Sequence, residues 1–99
     1  MKATRYIKKG VTNNVPIEKV VKAFANEKRI AILQLLAKQP DLSVDNISSS
    51  LEYGYKLVSS HTNKLMISGL IRKKYLGHSV VHTLTKRGKQ VLKFVRTLE

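Results

Sequence analysis

The chain has 99 residues, 42% hydrophobic and 25% charged, a composition typical of one small folded domain. It has no cysteine, which excludes disulfides, thiolate metal sites and thiol redox sensing, and no apolar run approaches the roughly 18 residues that a membrane span needs. These absences make a cytoplasmic protein the expectation, and the net charge of +13 predicts a polyanionic partner, nucleic acid before anionic membrane or acidic protein.

The positive charge is distributed unevenly along the chain. Residues 1–52 hold nine basic and five acidic side chains, whereas residues 53–99 hold ten basic side chains and a single acid, Glu99. A surface that serves only solubility usually mixes both signs. The charge therefore favours a nucleic-acid-binding protein.

The predicted elements begin after a basic N-terminal arm, residues 1–14, and a single domain spans residues 15–99. Pro16 suits the first turn of a helix, and apolar residues then recur at i, i+3, i+4 and i+7. This apolar stripe consists of Ile17, Val20, Val21 and Phe24. Asn26 suits the N-cap of a second, more buried helix, which Pro40 ends.

Two shorter helices are expected next. The connector 41–43 is either a loop or a short strand, and Asp41 or Ser43 caps the helix that follows. That third helix is marked by Val44, Ile47 and Leu51. Gly54 breaks it, and residues 55–68 form a fourth helix that ends at Gly69.

A β-hairpin and a last helix complete the predicted order. The runs 70–75 and 80–84 are β-leaning and flank a turn at 77–79. Thr85 suits the cap of the final helix, whose apolar residues are Val91, Leu92, Val95 and Leu98. The expected fold class is mainly α with a small β-hairpin, in the order α-α-(β)-α-α-β-β-α.

The third and fourth helices are joined by only a few residues around Gly54, which is the helix-turn-helix arrangement. The second helix of such a pair can enter the DNA major groove. Val58, His61 and Leu65 share one side of this helix and are expected to anchor it in the core. The residues expected to face DNA are Tyr55, Lys56, Ser59, Ser60 and Asn63. A plain solvated face is the alternative, but it would more often mix acids with lysines, and this helix has no acid.

The hairpin beside this helix is expected to act as a wing that contacts phosphates or the minor groove. The residues predicted to make these contacts are Lys64, Arg72, Lys73, Lys74 and His78. The alternative for the lysines is protection of an edge strand against pairing with other chains.

Three segments resemble the arsenic-repressor (ArsR) type of winged helix-turn-helix regulator: AFANEKRIAILQLL, ISSSLEYGYKLVSSHTNKLMISGLIRKK and HTLTKRG. In the first, the family pattern is matched by Ala25, Arg29, Ile32 and Leu33. In the second, the family's recognition segment is matched without a gap by Val58, Ser59, His61, Leu65, Gly69 and Leu70. The LTKRG segment is more similar to MarR-type winged helices. The resemblance implies a DNA-binding transcriptional regulator.

The chain also departs from the pattern of this family. Gly54 stands where a Ser usually caps the recognition helix, and Thr62 replaces a usual core Leu. Metal-sensing relatives carry Cys-x-Cys where this chain has Ser43 and Asp45, and the other metal site of the family uses Asp and His, which residues 86–98 lack. We therefore expect no metal and no other cofactor.

Other chemistries find little support in the sequence. His78 and His82 could approach each other across the hairpin, but two imidazoles without a third ligand make a poor zinc site. Ser59 and Ser60 lie beside His61, yet no nearby carboxylate would orient that histidine for nucleophilic catalysis. We expect that the protein is not an enzyme.

The apolar residues of the terminal helices permit two interpretations. A chain of this size could bury both stripes in its own core. The resemblance implies instead that residues 17–24 and 91–98 pair with a second copy in a twofold homodimer. Two recognition helices would then lie about 34 Å apart, one turn of DNA.

The function predicted from the sequence is a sequence-specific, double-stranded-DNA-binding transcriptional regulator, a dimeric repressor without a metal-sensing site. The alternative is a nonspecific chromatin- or RNA-associated protein, because +13 exceeds the charge that operator recognition requires.

Overall fold

The structure is a computed structural model that describes residues 11–12 and 15–99, so most of the predicted basic arm lies outside the described residues. The strands are β1 (Val11–Thr12), β2 (Val15–Pro16), β3 (Ile71–Leu76) and β4 (Ser79–Leu84). The helices are α1 (Ile17–Phe24), α2 (Glu27–Lys38), α3 (Val44–Leu51), α4 (Tyr55–Ile67) and α5 (Lys86–Arg96). This arrangement confirms the predicted winged helix-turn-helix, and the β1–β2 pair was not predicted. Among the described residues no helix has the length and apolarity to cross a membrane.

Polar side chains cap three of the helices. The Asn26 side chain accepts hydrogen bonds from the backbone N–H groups of Lys28 and Arg29, each at 3.0 Å. Ser43, rather than Asp41, caps α3 and forms a reciprocal capping box with Asn46. Each such cap contributes about 1 kcal/mol to helix stability.

The turn between α3 and α4 differs in one detail from the prediction. Glu52, not Gly54, ends α3, because Glu52 adopts the left-handed conformation with φ 58°. Gly54 is the N-cap of α4 and makes no side-chain hydrogen bond there. Gly54 thus caps α4 only weakly, as expected from the sequence. Three residues separate α3 from α4.

The hydrophobic core lies among α2, α3, α4, α5 and the base of the hairpin. Its fully buried apolar side chains are Ile32, Leu33, Leu36, Ile47, Val58, Leu65, Leu70 and Ile71. Gly88 lets α5 pack closely on this core, since a Cβ at Gly88 would lie only 2.1 Å from the carbonyl oxygen of Leu70. The glycine of the LTKRG segment is therefore a packing requirement.

The hairpin is fixed to the domain at its base and along one strand. β3 and β4 pair from Ile71–Leu84 to Leu76–Ser79, and the turn contains Gly77 at φ 63°. Leu42 forms a β-bridge with His82, which gives the connector between α2 and α3 the short strand character that the sequence left open. The Thr85 hydroxyl, which caps α5, also donates to the carbonyl of Gly69 at 2.6 Å. These contacts set the position of the wing beside α4.

Candidate nucleic-acid interface

The helix α4 has one buried and one exposed side. Val58, His61 and Leu65 are buried, as predicted for the anchoring side. Thr62, one of the two departures from the family pattern, is also buried, and its hydroxyl donates to the carbonyl of Ser59 at 3.0 Å. Replacing a core Leu with Thr thus does not turn this position toward solvent, because the hydroxyl bonds within the helix.

The exposed side of α4 forms one wall of an open groove of about 800 Å³, which we call the α4 groove. The exposed α4 residues that line it are Tyr55, Lys56, Ser59, Ser60 and Asn63, and the less exposed Thr62 and Met66 lie beside them. The first five are the side chains that the sequence predicts to face DNA. The structure therefore brings them together on one surface, and all five are exposed.

The opposite walls of the α4 groove come from the start of α3 and from the hairpin. They are lined by Ser43, Val44, Asp45, Lys73, Ser79, Val80 and His82. Of these, only Lys73 is predicted from the sequence as a contact residue. Ser43 and Asp45 lie at the start of α3, the first helix of the helix-turn-helix, and this position could have indicated that they border the α4 groove. Asp45 is the acid on this surface, and a carboxylate suits the amino group of cytosine better than a phosphate.

The three basic residues of β3 do not share one surface. Side chains alternate along a strand, so Lys73 lines the α4 groove while Arg72 and Lys74 point to the other face of the hairpin. The ammonium group of Lys74 lies 3.4 Å from both carboxylate oxygens of Asp41. A neighbouring acid therefore offsets part of the charge of Lys74, which the sequence predicts to contact phosphates.

Two other residues predicted to contact phosphates lie outside the α4 groove. His78 is exposed in the hairpin turn. Lys64 lies on the far side of α4, where it lines a second groove of about 400 Å³ with Lys19 and Lys22 of α1. Lys64 and Asn63 therefore point to different surfaces although they are neighbours in the sequence.

His61 is held by an arginine rather than exposed to a phosphate. Its Nδ1 atom lies 3.1 Å from the Arg29 guanidinium, which also donates to the backbone carbonyl of Ala23 at 2.6 Å. Burial, followed by the positive charges of Arg29, Lys64 and Lys28, lowers the pKa of His61 from its ordinary value. The neutral imidazole thus accepts the arginine's hydrogen bond, and His61 is a packing residue.

The other histidines do not form a metal site with each other. His82 is buried and its Nδ1 lies 3.0 Å from the carbonyl oxygen of Leu42, whereas His78 is exposed in the turn. In the part of the chain that the structure describes, no group of three or more His, Asp or Glu side chains is arranged to hold a metal ion.

An exposed apolar surface runs over α1 and the end of the chain. We call it the apolar seam, and it comprises Ile17, Val21, Phe94 and Leu98, which are 42% to 69% exposed. The rings of Phe24 and Phe94 meet edge to face at 6.4 Å, so the two helices adjoin here. Phe94 was missed in the sequence, although its place four residues before Leu98 was a signal.

The expected apolar stripe on α5 needs a correction. Val91, Leu92 and Val95 are buried in the protein's own core and are not available to a second copy. Likewise Val20 of α1 is buried, while Ile17 and Val21 remain exposed. Each terminal helix therefore uses one edge for its own core and leaves another uncovered.

Comparison with known proteins independently supports a transcriptional regulator. The model of a family described as bacterial regulatory protein, arsR family, matches residues 26–73. The transcriptional activator HlyU of Vibrio cholerae is 36% identical over 66 residues, which are 67% of this chain and 60% of HlyU. The chain therefore spans less than two thirds of the length of this curated relative.

Solved structures are similar over more of the chain. The crystal structure of the transcriptional regulator HlyU from Vibrio vulnificus is 30% identical, with a TM-score of 0.69 over 83% of this chain and 85% of that one. A solution structure of Mb0332 from Mycobacterium bovis, described as a homodimeric winged helix-turn-helix DNA-binding domain, is 24% identical. It has a TM-score of 0.75 over 83% of this chain and 76% of that one, and it supports the fold alone.

Proposed function

Because the chain belongs to the ArsR family of bacterial regulatory proteins, which are transcriptional regulators and not enzymes, we propose that it is a sequence-specific regulator that binds double-stranded DNA as a homodimer. The observation that carries this proposal is the α4 groove. Five exposed polar side chains of one helix line it together with Lys73 of the wing. A major groove about 12 Å wide accepts one α-helix that presents such a side.

The α4 groove divides into residues for base edges and residues for phosphates. Asn63 can pair with adenine through two hydrogen bonds, and Ser59 and Ser60 can reach either base edges or phosphates. Lys56 lies in the first turn of α4, and Lys73 faces it from the wing. We assign these two lysines to phosphates, where an ammonium group acts as a point charge.

The remaining basic residues predicted from the sequence are assigned to flanking contacts. Arg72 and His78 lie on the hairpin away from the α4 groove, where they would meet the DNA backbone or the adjoining minor groove. Lys64 points toward α1 and would meet a phosphate outside the α4 groove. Lys74 contributes least, because Asp41 is within ion-pair distance.

The apolar seam supports the homodimer. Monomeric proteins rarely leave a large contiguous apolar surface exposed, and α1 and the α5 end adjoin through Phe24 and Phe94. We accordingly propose that the segments 17–24 and 91–98 of a single domain, residues 15–99, form the interface through their exposed side chains Ile17, Val21, Phe94 and Leu98. Twofold symmetry would place two α4 helices about 34 Å apart on a near-palindromic site.

We further propose repression without metal sensing. Ser43 and Asp45 stand where metal-sensing relatives have a Cys-x-Cys, and residues 86–98 have neither Asp nor His. Repression would follow from occupation of a promoter by the bound dimer. An operator upstream of the promoter would instead allow activation, which is the activity named for the Vibrio cholerae relative.

Selection of bound fragments from a random duplex library tests this function. A sequence-specific dimer should enrich a near-palindromic motif with half-sites one helical turn apart. The net charge of +13 favours a second candidate, a nonspecific chromatin- or RNA-associated protein. Fragments recovered without any common motif would support that candidate and refute the first.

A further inference from the structure

A separate groove of about 390 Å³ lies between the end of α2, strand β4 and helix α5, and we call it the α5 groove. Its inner surface includes the buried leucines Leu36, Leu84 and Leu92. Ala37 and Pro40 extend this apolar surface toward the mouth. The volume lies within the range of pockets that bind small organic molecules.

Two exposed cations, Lys89 and Arg96, border this apolar surface, and no acid lines the groove. The ion pairs formed among the described residues are Lys22–Glu18 and Lys74–Asp41, so neither Lys89 nor Arg96 has a carboxylate partner there. Glu99 lines an adjoining groove beside Arg96 without forming an ion pair with it. Both cations are thus free to meet an anion from solution.

Helix geometry keeps the α5 groove open in the proposed dimer. Lys89 and Arg96 are seven residues apart, so they lie on the same side of α5 with Leu92 between them. Phe94 of the apolar seam lies on the opposite side of the same helix, and Leu98 follows just after the end of the helix. A second copy packed on the seam would therefore leave the α5 groove exposed.

We propose that the α5 groove binds a small organic anion with an apolar body, such as an aromatic or branched-chain carboxylate. The apolar body would lie against Leu36, Leu84 and Leu92, which displaces water from apolar surface. The carboxylate would pair with the guanidinium of Arg96, whose fork matches its two oxygens, while Lys89 adds a point charge. Inorganic phosphate would leave the apolar surface uncovered, and an organic cation would be repelled.

The location gives such a ligand a route to the wing. Leu84 lies at the end of β4, directly before the Thr85 cap of α5, so the groove spans the junction of wing and terminal helix. A ligand there would alter the angle between the hairpin and α5 and hence the affinity for DNA. This consequence rests on the proposed function, whereas binding itself does not.

The test is a titration of the free, isotope-labelled full chain, without DNA, followed by two-dimensional NMR at 0.15 M salt. The probes are phenylacetate, its neutral analogue phenylacetamide and the cation phenethylamine. Phenylacetate should shift the resonances of Leu84, Lys89 and Leu92, with a Kd on the order of 1 mM for so small a molecule. The two analogues should bind more weakly or not at all.

Charge-removing substitutions locate the site. Lys89→Gln and Arg96→Gln should each weaken phenylacetate binding roughly twofold to fivefold, and the double variant roughly tenfold. Lys93→Gln is the matched control, because Lys93 is an exposed lysine of the same helix that does not line the groove. Equal weakening by Lys93→Gln, equal binding of phenylacetamide, or shifts confined to other surfaces would overturn the proposal. These outcomes are independent of whether the protein regulates transcription.

Discussion

The guanidinium of Arg29 lies 3.1 Å from Nδ1 of His61, and this contact joins three helices at one point. Arg29 belongs to α2, His61 to the recognition helix α4, and the same guanidinium donates to the carbonyls of Ala23 and Lys22 near the end of α1. The orientation of α4 is therefore tied to the helix that carries half of the apolar seam.

This contact predicts a pH dependence of stability. The folded state lowers the pKa of His61, so between that value and the ordinary pKa of about 6.5 the unfolded chain binds more protons. The free energy of unfolding should therefore fall as the pH drops below about 6.5. Above that pH, the contribution of His61 should be constant. Urea unfolding midpoints of the wild type and of His61→Gln, measured from pH 5 to pH 8, check this.

His61→Gln should be less stable at pH 7.5, by about 1–3 kcal/mol, and should lose part of the decline at acidic pH. His78→Gln provides the control, because His78 is exposed in the hairpin turn and should behave as the wild type. An unchanged acidic decline in His61→Gln would show that other groups cause it.

Base contacts from the α4 groove predict a loss of specificity. Asn63→Ala should weaken binding to the selected operator by about 1–3 kcal/mol, which is roughly 5-fold to 150-fold, and leave binding to a scrambled duplex nearly unchanged. Fluorescence anisotropy with both duplexes measures this. Gln90→Ala removes an exposed amide from α5 instead and should affect neither duplex. Equal losses on both duplexes would exclude base reading by Asn63.

The alternation along β3 predicts that neighbouring lysines differ. Lys73→Gln should weaken binding to all duplexes and lower the slope of log K against log salt by about 1, because a phosphate contact is lost. Lys74→Gln should change the slope much less, since Asp41 lies 3.4 Å from its ammonium group. A reversed order of the two slopes would contradict the assignment of the hairpin faces.

The apolar seam predicts that single charges dissociate the dimer. Val21→Glu and Leu98→Glu should each convert the protein to a monomer in sedimentation velocity experiments, because a carboxylate would be buried in the interface. Leu76→Glu makes the same change at an exposed position of the hairpin and should remain dimeric. A wild type that is monomeric at every concentration would refute the interface.

The close approach at Gly88 predicts a packing defect. Gly88→Ala should lower the free energy of unfolding by about 1–3 kcal/mol or more, although alanine normally stabilises a helix, because its Cβ would clash with Leu70. Gly54→Ala is the comparison, since a Cβ at Gly54 meets nothing within 4 Å. Comparable urea midpoints for the two variants would contradict this explanation.

The order of the elements was predictable from local signals. The caps at Asn26 and Thr85 are formed as expected, and the apolar spacing of Val58, His61 and Leu65 identified the buried side of α4. The five exposed α4 residues of the α4 groove were predictable because they lie on the side opposite this buried one. These features depend on neighbours within one helix, which a sequence displays directly.

What the sequence did not reveal depends on contacts between distant segments. The pairing of Lys74 with Asp41 joins residues 33 positions apart, and the burial of Val91 and Leu92 depends on which edge of α5 meets the core. The distribution of Lys73 and Lys74 onto opposite faces follows from strand alternation, whereas in the sequence the two lysines form one basic run with Arg72. The end of α3 at Glu52 depends on a left-handed backbone conformation, which a glutamate rarely adopts and which the sequence therefore does not indicate.

The ratio of two dissociation constants tests the central claim most directly. It compares the selected operator with a scrambled duplex of the same length and composition at 0.15 M salt, by fluorescence anisotropy. A sequence-specific regulator should bind the operator roughly a thousandfold or more tightly. Equal affinity for the two duplexes, with a steep salt dependence for both, would contradict the account and identify a nonspecific nucleic-acid-binding protein.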